Sequence, residues 1–149
     1  MNAPHFQPWK SFGQTDPFTT TTEVNLYVGQ GETSVITKGV RNKVLEGEGE
    51  KYCVWVNLYP SADKIQDFKT CIAGNKTGTD TTEDNALQYT WGENTKPEFA
   101  SSFHFFEVYA GESGFKEHSA ASHFGVWEEF AGQEGAFAKE PEVFFGKII

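Results

Sequence analysis

Cations are scarce in this chain of 149 residues: 12 Lys and Arg stand against 21 Asp and Glu, a net charge of -9. Nucleic acids and anionic membrane surfaces are gripped by clustered cations, so neither is expected as an unaided partner. The one local basic group, Lys38, Arg41 and Lys43, is short and reads as a solvated strand or loop. Cysteine is scarcer still. Cys53 and Cys71 have neither CxxC nor Cys/His spacing, which leaves two readings open, a pair of buried thiols or one bridge. No apolar run approaches the roughly 20 residues of a membrane span. The first residues lack the apolar core of a signal peptide. A soluble protein of the cytoplasm or of an organelle is the expectation. Metal ligation is not signalled either. Of the four histidines, His5, His104, His118 and His123, the last two are five apart, which splays them on a continuous helix. Nor is there a Ser/His/Asp order, a phosphate loop or a paired-carboxylate motif.

What the chain does have is aromatic bulk, 14 Phe among it. Such side chains fill a core, line a pocket or seal a subunit interface. Three of the six prolines, Pro4, Pro8 and Pro17, fall in an opening arm with Phe6, Trp9, Phe12 and Phe18 spaced along it. An aromatic arm of this kind is expected to dock on the body of the protein or on a neighbour. Glu23–Val28 and Ser34–Thr37 then read as a hairpin about Gly29-Gln30-Gly31. The polar Glu46–Glu50 connection divides the chain into residues 1–50, an arm and hairpin extension, and residues 51–149, a domain.

That domain has a legible element order. Tyr52–Tyr59 is a near-continuous strand stopped by Pro60. Ser61 is placed to cap a helix carrying Ile65, Phe68 and Ile72, with Gly74 at its end and a polar loop over residues 75–85. That loop contains a glycosylation triplet, Asn75-Lys76-Thr77. Ala86–Trp91 alternates as a second strand, and Ser101–Tyr109 forms a third. Phe115, His118, Trp127 and Phe130 recur at helical steps up to Gly132. Glu142–Ile149 closes as a fourth strand. The order β-α-β-β-α-β is the ferredoxin-like α+β arrangement, whose helices cover only one face of the sheet. A homodimer built through the other face is the simplest way to bury the aromatics there.

The run Phe103-His104-Phe105-Phe106-Glu107-Val108-Tyr109, then Phe115-Lys116-Glu117-His118 and Ser122-His123-Phe124, resembles the antibiotic biosynthesis monooxygenase family. The likeness is close over about thirty residues and looser elsewhere. It implies a dimeric α+β barrel. Family members include oxygenases that need no cofactor and act on phenols, hydroquinones or polyketide anthrones; others degrade haem. The haem-degrading branch implies an Asn on the first strand, a Trp on the second helix and a His near its end. Asn57 matches the first, while the other two positions depart, with His118 where the Trp would be and Glu128 near where the His would be.

A cofactor-free oxygenase needs a base, an oxyanion donor and apolar walls. His118 is the candidate base, Asn57 the donor, and Glu107 a carboxylate on an aromatic strand face that acts as base or fixes the histidine. Trp55, Tyr89, Trp91 and Phe105 are the candidate walls, on the expectation that the Cys53, Trp55, Asn57, Tyr59 face lines the cavity. Each has a plainer reading. His118 would anchor its helix, Glu107 would pair across a dimer, Asn57 would tie down a loop, and the aromatics would be core. The monooxygenase reading calls for no metal and no cofactor. Its alternatives are a non-catalytic dimeric binding or assembly module and, third, haem breakdown.

Overall fold

A computed structural model describes residues 27–29, 49–95 and 101–148. The arm, the second hairpin strand, most of the Glu46–Glu50 connection and the Lys38–Lys43 basic group lie outside the described residues. The strand predicted over Glu23–Val28 is described only at its end, β1 (Tyr27–Gly29).

Chain order within the domain follows the β-α-β-β-α-β expectation. β2 (Lys51–Pro60) is built from β-branched and aromatic residues and ends where proline has no N–H for the ladder. A 3-10 turn (Ala62–Lys64) leads into α1 (Ile65–Thr82). Ser61 starts that turn through its backbone carbonyl, which accepts the Lys64 N–H at 2.8 Å, and not through a side-chain cap. β3 (Ala86–Asn94) and β4 (Phe103–Ala110) follow, then α2 (Gly111–Ser119), α3 (Ser122–Ala131) and β5 (Phe137–Ile148).

The helix lengths differ from expectation at two places. α1 does not stop at Gly74 but runs two more turns. Its second half is polar and Gly-rich, a poor intrinsic helix, yet tertiary bonds hold it. Lys76 donates to the Tyr89 carbonyl at 2.6 Å, and Asn75 donates to the Tyr89 hydroxyl at 3.1 Å. Asn75, only 2% exposed, is therefore no glycosylation site in the folded chain. The second predicted helix is in fact two. Ala121 is extended (φ -73°, ψ 147°), which breaks the chain between α2 and α3.

The strands form one antiparallel sheet in the order β1-β3-β4-β2-β5. Register sorts the side chains into two faces. Val54 opposes Glu107, Val56 opposes Phe105 and Leu58 opposes Phe103 on the face the helices cover. The core lies there, with Phe68 of α1 touching Trp91, Phe103, Phe105, Trp127 and Phe130 at ring separations of 4.7–6.3 Å. The opposite face carries Trp55 against Phe106 (5.4 Å), with Phe144 beside them in register and 57% exposed. Among the described residues no helix covers that side. Cys53 lies on this second face and Cys71 on α1, both buried free thiols.

Candidate functional site

A cavity of about 160 Å³ lies between the covered face of the sheet and the helices. Its floor is Val54 and Val56 of β2 with Phe105 of β4; Phe115, Phe124 and Trp127 roof it. Pro141 and Val143 of β5, both exposed, form the rim. Strand alternation dictates the floor. The even-numbered residues of β2 face the helices, so the odd-numbered set expected to line a pocket points the other way.

Three polar groups break this apolar surface: Asn75, Tyr89 and Glu107. Glu107 is 7% exposed. Burial pushes its carboxyl up to about 7; the Tyr109 hydroxyl bond partly offsets this, and the Glu83 charge adds to it. Tyr89, opposite Glu107 in the β3–β4 register, is raised well above the ordinary phenol range by burial first and by Glu107 second. Its hydroxyl accepts the Asn75 amide and keeps its own proton to donate. The Asn75 Oδ1 is buried without a hydrogen-bond partner. An orphaned buried acceptor costs about 1–3 kcal/mol, and a ligand hydroxyl would satisfy it.

The residues expected to form the site separate into four groups. Glu107, Tyr89 and Phe105 meet at the cavity. Trp91 is one layer into the core, stacked on Phe105 at 5.9 Å. Asn57 and Trp55 are on the opposite face. There Asn57 donates to Glu142 at 3.0 Å, and its carbonyl lies 3.0 Å from His104 Nδ1. His118 does not share a cavity with Asn57. It is 1% exposed and packs behind the wall, with ring centres 5.6 Å from Tyr89 and 5.0 Å from Phe124. Its Nδ1 lies 2.9 Å from the Glu83 carboxylate. Burial lowers its pKa and Glu83 partly restores it.

Asn75 was hidden inside a supposed loop, although Phe68, Ile72, Asn75 and Thr79 continue one stripe at steps of four, three and four. Glu83, at the end of α1, was hidden with it. Its carboxylate also meets His123 Nε2 at 2.5 Å. The break at Ala121 therefore undoes the expected splaying of the two histidines and brings both onto Glu83, within ligand distance of one another.

An α+β arrangement whose described helices cover one sheet face, with a small aromatic cavity beneath them, describes the class. Solved structures of the same fold make it more specific. A proposed antibiotic biosynthesis monooxygenase from Caulobacter crescentus CB15 superposes with a TM-score of 0.58 at 17% identity, over 66% of this chain and 90% of that one. A second from Nitrosomonas europaea gives 0.57 at 17%, over 67% and 91%. A proposed monooxygenase from Lactobacillus acidophilus NCFM gives 0.57 at 17%, over 65% of this chain but only 44% of that one, less than half its length. No protein-family profile and no curated sequence matches the chain. The domain has the ferredoxin-like fold of the antibiotic biosynthesis monooxygenases.

Proposed function

We propose that this chain is a cofactor-independent monooxygenase of a single-ring phenol or hydroquinone. One observation carries the reading: a carboxyl whose pKa is pushed up to about 7 sits in an aromatic cavity with an unsatisfied amide oxygen. A cavity near 150 Å³ is known to take one benzene ring, which sets the substrate size. Glu107 takes the proton of the phenol, and a base poised near neutral pH suits that task. The Tyr89 hydroxyl donates to the resulting oxyanion, and Asn75 Oδ1 accepts a second ring hydroxyl. The phenolate passes one electron to dioxygen, and the radical pair joins at a ring carbon, ortho or para to the oxygen, that carries a hydrogen. The hydroperoxide loses its O–O bond as that carbon gives up its hydrogen. One oxygen stays as the new quinone carbonyl and the other leaves as water. Phenol and dioxygen thus balance quinone and water, with no outside reductant.

This reading moves the base from His118 to Glu107 and the polar contact from Asn57 to Asn75. The haem-degrading arrangement does not fit these residues. Asn57 is on the far face, Glu128 is exposed on α3, and the cavity takes one ring but no tetrapyrrole. The alternative of a non-catalytic dimeric module draws on Trp55, Phe106 and Phe144 on the face that no described helix covers, and the two readings share a homodimer.

Oxygen uptake with a panel of phenols, hydroquinones and anthrones tests the proposal. Single-ring substrates should turn over and three-ring anthrones should not. Glu107→Gln should cut turnover by about two to four orders of magnitude. Asn75→Leu should chiefly raise KM, by about tenfold. Wild-type protein that binds none of the panel and consumes no oxygen would leave the non-catalytic module.

A further inference from the structure

One cluster outside the cavity remains unused by the chemistry above. Glu83 ends α1, His118 lies on α2 and His123 on α3, so three separate elements deliver one nitrogen or oxygen each to a single point. These ligand atoms all lie within 4.8 Å of one another. His118 Nδ1 is 2.9 Å and 3.1 Å from the two Glu83 oxygens. Thr79 stands one turn before Glu83 on the same helix face. Its hydroxyl gives its proton to the Asn75 carbonyl at 3.0 Å, so its lone pairs face His118 Nδ1 at 3.4 Å and His123 Nε2 at 3.5 Å.

The approach of His123 is built into α1. A Cβ at Gly78 would collide with the His123 ring. Glycine in a helix interior costs about 1 kcal/mol against alanine, and here it makes room for an imidazole. The His118 side chain is 1% exposed, but those of His123 and Glu83 keep 16% and 9%, which gives a cation a way in. Two imidazoles and one carboxylate are a donor set used for zinc and for other divalent first-row metals. Ligand atoms of a tetrahedral zinc lie roughly 3.3 Å apart, given bonds near 2.0–2.1 Å. The separations in the cluster, 2.5 to 3.1 Å on Glu83 and none above 4.8 Å, bracket that spacing.

We propose that Glu83, His118 and His123 bind one divalent transition-metal cation of the zinc class, with water in the remaining coordination position. The cation clamps the end of α1 to both helices of the cavity roof. It sits behind Tyr89 and Phe124 and so is separate from the phenol site. The same three groups without a cation form a hydrogen-bonded clasp, and the experiment separates the two.

Full-length protein stripped with a chelator and dialysed is titrated calorimetrically with Zn²⁺ and, in parallel, with Co²⁺ followed by its visible absorption. The expected result is saturable binding of one ion per chain, tetrahedral cobalt bands, and a melting temperature raised by several degrees in excess zinc. His123→Ala and Glu83→Gln should each weaken binding by roughly 100-fold or more, since even groups behind a ligand are worth 10–100-fold. His104→Gln, on the opposite sheet face, should leave the affinity unchanged. X-ray absorption of the zinc-loaded wild type should show two imidazoles, which decides the matter even where a variant fails to fold. Absence of saturable binding, an oxygen-only shell, or unchanged affinity in both His123→Ala and Glu83→Gln overturns the site and leaves the clasp. Oxygen uptake plays no part in these readouts, so the result is independent of the phenol proposal.

Discussion

The hydroxyl of Tyr109 donates to Glu107 at 2.8 Å, from two residues along the same strand and the same buried face. Burial pushes the Glu107 carboxyl up, the Tyr109 hydroxyl offsets part of that, and the group is left at about 7. The same bond and the neighbouring charge push the Tyr109 hydroxyl far above the ordinary phenol range, after burial itself, so Tyr109 remains a donor at every physiological pH.

Glu107 therefore makes stability depend on pH. An ordinary glutamate ionises near 4.5, and this one is pushed up to about 7. The folded state holds the proton more tightly than the unfolded state between those values. Stability therefore falls as pH rises from 4.5 to 7 and levels off above. The full shift is worth at most about 3 kcal/mol. Glu107→Gln should abolish this slope and raise the melting temperature above pH 7, with little effect near pH 4. Parallel slopes in thermal melts of the two proteins would contradict it. Turnover should follow the opposite course in the wild type, rising through pH 7 as the base loses its proton.

Two glycines of α1 should respond oppositely to alanine. Gly74 has open space where a Cβ would go, so Gly74→Ala should stabilise by about 0.5–1 kcal/mol. Gly78 faces the His123 ring, so Gly78→Ala should destabilise by about 1–3 kcal/mol despite the same gain in propensity. Chemical denaturation of both variants checks the pair, and a stabilised Gly78→Ala would mean that His123 does not rest on the helix.

The sheet face that no described helix covers predicts an assembly. Trp55, Phe106 and Phe144 form an apolar surface there, and a second copy covering it would bury all three. Light scattering at micromolar concentration should give the mass of two chains, and Phe144→Glu should shift it towards one. A wild-type monomer would remove the homodimer from both functional readings.

The strands were legible because β-branched and aromatic runs bounded by Pro60 and Gly111 have one reading. What alternation alone did not decide was which face of β2 the helices cover. Both faces are bulky, and the choice rests on where α1 and α3 pack. In hindsight Asn57 and Tyr59, joined through Glu142 at 3.0 and 2.9 Å, mark the outer face by their polarity. The late turns of α1 were illegible for a different reason. Gly74, Gly78 and four threonines after residue 76 argue locally against a helix, and only contacts to Tyr89 and the histidines overrule them. The α2–α3 break at Ala120–Ala121 has no local signal at all, since alanine is the best helix former. Glu107 was visible as a misplaced carboxylate; Asn75 and Glu83 fell inside the segment misread as loop.

β4 passes into α2 with no connecting residues, the turn being made at Gly111 with φ +74°. This junction joins the carboxyl in the cavity to the histidine behind it along one short piece of chain. Its length is therefore as constrained as its composition. A single inserted residue would rotate α2 by about 100° about its axis and swing His118 away from Glu83 while leaving Glu107 in place. Natural variation in this protein should accept substitutions on the exposed side of α2 far more readily than a change of one residue in the spacing between Glu107 and His118.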